Sequence, residues 1–278
     1  MKPALYKGLH PYKRLADSRW RRVLERKRQE RARGRPPRCP PGWETGPPDF
    51  VGVGAQRAGT TWWYFLIEQH PQVTRRYPKE LQYFVRRREE EIDASHYWRY
   101  FARKPRTLVG EWTPSYMFFD WIMRDLAAAA PDAQIIISLR DPVDRYMSAI
   151  PLYEDLYIEG LPKRERENLF LRGAYGAQID RVFRYFDPDR VLILQYERCK
   201  ASPRSELERT YRSLGLDEGF VPEGIDRLRN VLPKRPPRVS DGERSGLVDR
   251  YSEDVRRLLK LVPDLDLDLW PNFRGFNG

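Results

Sequence analysis

Early in the chain, a short apolar strand leads directly into a glycine-bearing loop and then into an aromatic helix. We predict the strand at Phe50–Val53, the loop at Gly54–Thr61 and the helix at Thr60–Gln69. In this arrangement consecutive backbone N–H groups point at an anion, and the helix dipole adds to their attraction. The segment therefore predicts a site for phosphate or sulfate, with an ordinary glycine-bearing turn as the alternative.

The loop is similar in spacing to the Walker A motif, G-x-x-x-x-G-K-[ST], with Gly54 and Gly59 as its two glycines. Thr60 stands where that motif has a lysine, the residue that bridges the terminal phosphates of a nucleoside triphosphate. The missing lysine counts against a kinase or an ATPase. An ATP-dependent P-loop enzyme stays open as an alternative.

Short apolar runs alternate with helical patterns along the rest of the chain. The further predicted strands are Leu108–Gly110, Gln134–Leu139 and Val191–Tyr196. The further predicted helices are Trp121–Ala130, one that begins at Asp141 and Pro142, Gln178–Phe186, Ser205–Leu214 and Asp254–Leu261. Strands separated by helices predict an α/β fold, a P-loop-like parallel sheet with helices on both faces. No internal repeat is present, so we expect a single domain.

A second motif follows the isoleucine-rich strand at Gln134–Leu139. It places Arg140 at the carboxyl end of a buried strand, where ligands of open α/β sheets bind. The planar guanidinium suits a second phosphate, and Ser148, two turns into the next helix, adds a hydroxyl. In the alternative interpretation, Arg140 only pairs with Asp141 or Asp144.

The two motifs in this order resemble the sulfotransferases that use 3′-phosphoadenosine 5′-phosphosulfate (PAPS), particularly the heparan-sulfate-type and related bacterial members. The resemblance extends from about residue 49 to the C-terminal helix. It implies that the first loop binds the 5′-phosphosulfate of PAPS and that the second motif binds the 3′-phosphate. The cofactor-binding residues implied in this way are Arg57, Ala58, Gly59, Thr60 and Thr61 in the loop, and Arg140 and Ser148 in the second motif.

The catalytic residues also follow from the resemblance. The segment P-K-E-L-Q-Y-F at 78–84 is similar to a Lys-Glu segment of the family, which implies Glu80 as the catalytic base, with His96 as the alternative. Arg57 stands where many relatives have a loop lysine that contacts the departing sulfuryl group. Arginine stabilises developing negative charge but does not donate its proton as a general acid. We therefore expect Arg57 to be catalytic by charge alone.

Two further segments are similar to the family. The stretch G-E-W-T-P-S-Y at 110–116 resembles its Thr-Pro-x-Tyr segment. The basic stretch at 234–238 loosely resembles a late loop that closes on the cofactor, which implies Lys234 and Arg235 as cofactor-binding residues. Solvated loop charges are the alternative for these two side chains.

The net charge of +11 is concentrated in the N-terminal segment. Residues 1–38 hold 14 basic and 3 acidic side chains, whereas the other 240 residues hold 37 of each. We predict a basic arm at 1–38, an extended proline-rich linker at 39–48 and the sulfotransferase domain at 49–278. The arm offers a surface to anionic lipid or polyanions, with a solvated arginine-rich helix as the alternative. Because the rest of the chain is neutral, nucleic-acid binding is not expected.

Composition bears on the expected compartment of the protein and on its need for disulfides or metals. No apolar run approaches the ~18 residues that a membrane-spanning helix needs. The N-terminus lacks the apolar region of a secretory signal, and two cysteines and three histidines count against disulfide and zinc frameworks. We therefore expect a metal-free cytoplasmic enzyme, with the arm as a means of peripheral membrane contact.

These observations predict a PAPS-dependent sulfotransferase that transfers a sulfuryl group by in-line displacement to a hydroxyl or an amine. The expected acceptor is a carbohydrate, a glycolipid or another small alcohol, because aromatic side chains offer flat faces to such rings. Some of these aromatic residues are expected to line the acceptor cleft and most to lie in the core: Trp62, Trp63, Trp98, Trp112, Tyr116, Phe118, Phe119 and Trp121. A catalytically inactive relative that binds polyanions is the remaining alternative.

Overall fold

The computed structural model describes residues 34–87, 92–154, 161–227 and 240–276. Most of the predicted basic arm lies outside these residues. So do Lys234 and Arg235.

A parallel sheet with helices on both sides forms the centre of the described chain. The strands are β1 (Glu44–Thr45), β2 (Phe50–Gly54), β3 (Ala102–Arg103), β4 (Gly110–Trp112), β5 (Gln134–Leu139) and β6 (Val191–Gln195). The helices are α1 (Thr60–Ile67), α2 (Tyr83–Arg86), α3 (Ala94–Trp98), α4 (Asp120–Ala129), α5 (Pro142–Glu154), α6 (Lys163–Leu171), α7 (Tyr175–Phe183), α8 (Tyr196–Ala201), α9 (Pro203–Leu214) and α10 (Asp241–Leu261).

The sheet has the strand order β4-β2-β5-β6, and all of its pairings are parallel. In β2 and β5, the pairing joins Val51 to Ile135 and Gly52 to Ile136. Parallel neighbours place their carboxyl ends at one edge of the sheet, so the loops after β2 and β5 meet there.

The two faces of β5 pack into two different hydrophobic clusters. Ile135 and Ile137 contact the cluster that contains residues of α4, α5, α7 and α10. Ile136 belongs to the cluster on the other face, with residues of α1 and α9. A strand buried on both faces explains the uninterrupted isoleucine run, and the predicted helix-covered parallel sheet is confirmed.

Most predicted elements are present, several with ends that differ by one to three residues from the prediction, and two differences have a clear physical reason. The strand predicted at Leu108–Gly110 is found at Gly110–Trp112, because Leu108 forms only an isolated bridge to Val73. The last helix begins at Asp241 rather than Asp254. Its start is a capping box, in which the Ser240 side chain accepts from the Glu243 amide and the Glu243 carboxylate accepts from the Ser240 amide.

The second half of the predicted linker is attached to the domain. Glu44 and Thr45 pair antiparallel with Arg103 and Ala102. The Arg103 guanidinium also donates to the Asp49 carboxylate and to the Pro47 carbonyl. Residues 44–49 therefore pack against the described fold.

Candidate functional site

The loop after β2 is fastened to the end of β5. The Ala55 amide donates to the Ser138 carbonyl over 2.8 Å, and the Ser138 hydroxyl donates to the Ala58 carbonyl over 2.6 Å. Gly59 has a φ of 75°, and a Cβ there would lie 2.5 Å from the Tyr196 ring. Position 59 therefore requires glycine both for its backbone conformation and for the close approach of Tyr196.

The start of α1 presents unused backbone donors. Among the described residues, the amides of Arg57, Gly59, Thr60 and Thr61 have no hydrogen-bond acceptor. Amides at a helix start carry the positive end of the helix dipole, so this part of the loop favours an anion.

Arg57 and Ser148 are brought together from the two motifs. Nε and Nη2 of Arg57 donate to the Ser148 hydroxyl over 3.2 and 3.0 Å. Nη1 of Arg140 donates to the Arg57 carbonyl over 3.3 Å, and its guanidinium lies over the Tyr196 ring. Burial lowers the pKa of Arg57, and the neighbouring Arg140 cation lowers it further. The site therefore gathers two like charges, an arrangement that an anion would relieve.

The acidic neighbours of Arg140 are engaged elsewhere. The buried Asp141 carboxylate accepts from the amides of Val143 and Asp144 and from Asn272. Asp144 accepts from Arg244 and Asn272. Among the described residues, neither Arg57 nor Arg140 forms an ion pair with a carboxylate. The predicted alternative, in which Arg140 pairs with Asp141 or Asp144, is therefore not what the structure shows.

Lys79 and Glu80 lie beside the start of α1. The Lys79 Nζ donates to the hydroxyl oxygens of Thr60 and Thr61 over 3.1 and 3.3 Å. It also lies 3.6 Å from the Glu80 carboxylate, whose side chain is 34% exposed. The sequence interpretation gave Lys79 no role of its own, although the absence of a lysine from the loop was a signal to look for one elsewhere.

A buried carboxylate, Glu111 at the middle of β4, holds the segment that carries Lys79 and Glu80. It accepts from the Leu81 amide over 2.9 Å and from the Thr113 hydroxyl over 2.6 Å. It also accepts from the hydroxyls of Tyr97 and Tyr116, both over 3.0 Å. These four donors explain how a fully buried carboxylate is accommodated, and they fix the backbone immediately after Glu80.

His96, the alternative base, lies in an aromatic cluster. Its Nδ1 is 3.1 Å from the Tyr83 hydroxyl, and its ring packs against Tyr83 and Tyr100. Of the aromatic residues considered for an acceptor cleft, Trp62, Trp63, Trp112 and Tyr116 are buried in the core, whereas Trp98, Phe118, Phe119 and Trp121 are partly exposed.

Comparison with known proteins decides the family. A sulfotransferase domain model matches residues 47–231, two thirds of the chain. The chain belongs to the sulfotransferase domain family. The family predicted from the two motifs is confirmed, and it is a family of transferases.

Individual sulfotransferases are similar in sequence to this chain over part of their own lengths. Human heparan sulfate glucosamine 3-O-sulfotransferase 6 is 30% identical over 185 residues, which cover 61% of this chain and 52% of that protein. The membrane-associated sulfotransferase kil1 of Dictyostelium discoideum is 32% identical over 103 residues, which cover 36% of this chain and 22% of that protein. The chain thus spans about half or less of the length of these relatives.

A solved sulfotransferase from Alicyclobacillus acidocaldarius has a similar fold. The TM-score is 0.67 at 23% identity, and the match covers 81% of this chain and 99% of that one. Within the described residues, no helix combines the length and the apolar character needed to cross a bilayer. In the same residues, no group of three or more His, Cys, Asp or Glu side chains could hold a metal ion. That the reaction needs no metal stays a prediction.

Proposed function

We propose that this sulfotransferase transfers a sulfuryl group from PAPS to a hydroxyl or an amine of its acceptor. The observation that carries the proposal is the convergence of Arg57, Arg140 and Ser148 beside the unused amides at the start of α1. Membership of the sulfotransferase domain family supports PAPS as the donor.

The residues present fit the two anionic ends of PAPS. Arg57, Arg140 and the Ser148 hydroxyl supply charge and hydrogen bonds suited to a phosphate. The amides from Arg57 to Thr61, with the hydroxyls of Thr60 and Thr61, supply a second group of donors suited to the phosphosulfate. The buried Ala58 contributes its place in the loop turn rather than a side-chain donor. Lys234 and Arg235 remain predicted cofactor contacts.

PAPS supplies an activated sulfuryl group, whose transfer is driven mainly by positioning and charge stabilisation. We assign the base to Glu80, whose carboxylate would accept the proton of the acceptor hydroxyl. Its partial exposure leaves it accessible to an acceptor, and its position is supported by the Glu111 hydrogen bonds to the next residue. Arg57 would stabilise developing negative charge, although its guanidinium here faces Ser148.

For the acceptor we propose a carbohydrate hydroxyl. The matched human relative is by name a sulfotransferase of heparan sulfate glucosamine, which supports this class. Partly exposed aromatic rings, Phe118, Phe119 and Trp121, are suited to stack on sugar rings. The cytoplasmic location and the contact of the basic arm with anionic surfaces stay predictions.

A thermal shift experiment tests the donor. We expect 3′-phosphoadenosine 5′-phosphate (PAP) to stabilise the protein, since a ligand at about 100-fold over its Kd adds ~2.7 kcal/mol. ATP with magnesium and adenosine 5′-phosphate, which both lack the 3′-phosphate, should stabilise it much less. Stabilisation by ATP with magnesium but not by PAP would favour the P-loop kinase alternative.

Transfer itself is tested with radiolabelled PAPS and N-sulfated heparosan as the probe acceptor, in the presence and absence of EDTA. We expect labelled polysaccharide in both conditions. PAP binding without transfer to this or any simple sugar acceptor would contradict the carbohydrate assignment and leave the donor assignment in place.

A further inference from the structure

Lys79 supplies a cation beside the glycine-bearing loop, which has Thr60 where the Walker A motif has a lysine. Its Nζ donates to the hydroxyls of Thr60 and Thr61, the first two residues of α1. A cation at this point adds its charge to the positive end of the helix dipole. It therefore faces the same part of the loop as the unused amides.

The cation within the loop, Arg57, is directed elsewhere. Among the described residues, its side chain donates hydrogen bonds to Ser148, and Arg140 donates to its carbonyl. The described site thus contains two groups of donors, one around Arg57, Arg140 and Ser148, and the other around Lys79 at the start of α1. This division matches a donor with two separate anionic ends.

The Lys79 position is built into the fold. The Lys79 carbonyl accepts the Trp112 amide over 3.0 Å, and the Leu81 amide binds Glu111. Only 15% of the Lys79 side chain is exposed, and burial lowers its pKa to about 8. Glu80 and Glu111 are the described charges that act on it, and both oppose that lowering. An amine with this pKa both carries charge and exchanges its proton near neutral pH.

We propose that Lys79 contacts the phosphosulfate end of the donor and gives a proton to the leaving phosphate oxygen. Lys79 lies in a segment outside the loop. It takes the role of the loop lysine that many relatives have at the position of Arg57. The inference rests on the proposed PAPS-dependent function and assigns it one further catalytic residue.

Lys79 and Glu80 together account for the protons that move in this step. The acceptor oxygen forms its bond to sulfur and loses its proton to the Glu80 carboxylate, while the bond between sulfur and the leaving phosphate oxygen breaks. A Lys79 ammonium proton passes to that oxygen. The 3.6 Å separation of Nζ and the Glu80 carboxylate then lets the proton return from Glu80 to Lys79. The net transfer is one proton from the acceptor to the leaving phosphate.

The first test uses the unmodified protein and needs no turnover. Reductive methylation of lysines is followed by mass spectrometry at several pH values, with and without PAP. We expect Lys79 to react with an apparent pKa near 8, and PAP to slow its methylation at least tenfold at pH 8 and to raise that pKa, since a nearby anion favours the ammonium form. Lys260, exposed on α10, should be unaffected.

The second test compares variants by calorimetric titration with PAP. Lys79→Met should bind at least tenfold more weakly, Lys79→Arg within about threefold of the unmodified protein, and Lys260→Met unchanged. In single-turnover transfer, Lys79→Arg should stay at least tenfold slow despite its restored binding, because arginine does not donate its proton.

The outcomes separate this inference from the proposed function. If the unmodified protein fails to bind PAP, the proposed function fails and the inference falls with it. If it binds PAP while methylation of Lys79 and the affinity of Lys79→Met stay unchanged, only the role of Lys79 is overturned. Should Lys79→Met fail to fold, the methylation result decides alone.

Discussion

Nη2 of Arg57 lies 3.0 Å from the hydroxyl oxygen of Ser148, across 91 positions of sequence. Arg57 belongs to the glycine-bearing loop after β2, and Ser148 lies on α5, which follows β5. Each motif taken alone has an ordinary structural explanation, a turn for the first and an ion pair for the second. The contact between them shows that the two motifs meet at the carboxyl edge of the sheet, where we propose the donor site.

Arg140→Ala should weaken PAP binding strongly. The Arg140 guanidinium has no carboxylate partner among the described residues, so its charge is available to a phosphate. Truncation of one member of a buried charge pair costs on the order of 2–5 kcal/mol, a loss of roughly thirtyfold or more in affinity. Isothermal titration with PAP measures this loss.

Arg184→Ala is the matched control, because Arg184, the residue that follows α7, is exposed and pairs with Asp180. Its affinity for PAP should equal that of the unmodified protein. An Arg140→Ala protein that binds PAP normally would remove Arg140 from the cofactor site.

The elements with strong local signals could be predicted from the sequence. The bounds of β5 match the prediction, since an isoleucine run between Pro131 and Pro142 identifies a buried strand locally. The first three turns of α10 were missed, because Leu247 is the first buried residue of that helix and polar residues precede it. The start of the helix does carry a local signal, the Ser-x-x-Glu pattern of the capping box at Ser240 and Glu243, which the hydrophobic pattern alone does not reveal.

One part of the candidate site could be predicted from local sequence patterns, and another part could not. The loop and Arg140 carry motifs that can be recognised over a few residues. The contact of Lys79 with Thr60 and Thr61 depends on how the chain after Pro78 is held against β4 by Glu111, and no local pattern encodes that packing.

Glu111→Ala should destabilise the fold. It would leave the Leu81 amide and the hydroxyls of Thr113, Tyr97 and Tyr116 without their shared acceptor in a buried place. Each unsatisfied buried group costs about 1–3 kcal/mol, so we expect a total loss above about 3 kcal/mol in the free energy of unfolding. Urea denaturation measures the loss.

Tyr97→Phe provides a graded comparison, since it removes one of the four donors and leaves the carboxylate in place. We expect a loss of about 1–2 kcal/mol. Equal stability of Glu111→Ala and the unmodified protein would show that these hydrogen bonds do not hold the segment.

Stability should fall as the pH rises from about 4.5 to about 7 because of Glu197. Burial raises the pKa of Glu197 from 4.5 to about 7, against the hydrogen bonds that it accepts from Asp141 and Trp270. Between these pH values the folded protein holds a proton that the unfolded chain has lost. The resulting loss in the free energy of unfolding is therefore absent below pH 4.5. It is complete above pH 7, at up to about 3 kcal/mol.

Glu197→Gln removes this titration. In urea denaturation at several pH values, the free energy of unfolding of Glu197→Gln should decline less between pH 4.5 and 7 than that of the unmodified protein. Burial also raises the pKa of Asp141 from 3.8, so the decline that this carboxyl contributes as the pH rises above 3.8 should persist in the variant. Parallel pH profiles for the two proteins would show that Glu197 does not titrate in this range.

Glu80→Gln should separate catalysis from donor binding. The amide keeps the shape of the side chain and remains near Lys79, but it does not accept a proton at neutral pH. If Glu80 is the base, kcat should fall by roughly 10²–10⁴, while the affinity for PAP changes by less than about threefold. The acidic limb of the rate profile should disappear in the variant. Rapid-quench transfer and calorimetry with PAP measure the two quantities on the same preparation.

The competing explanation is that Glu80 only forms a partly exposed ion pair with Lys79, which contributes less than ~1 kcal/mol and does not affect the rate. The two explanations differ by orders of magnitude in kcat, so a single measurement decides between them. His96→Ala tests the alternative base in parallel, and we expect it to keep kcat within about tenfold, since His96 lies against the rings of Tyr83 and Tyr100. Near-normal turnover in Glu80→Gln beside an inactive His96→Ala protein would transfer the base to His96, and the assignment of PAPS to Arg57, Arg140 and Ser148 would stand unchanged.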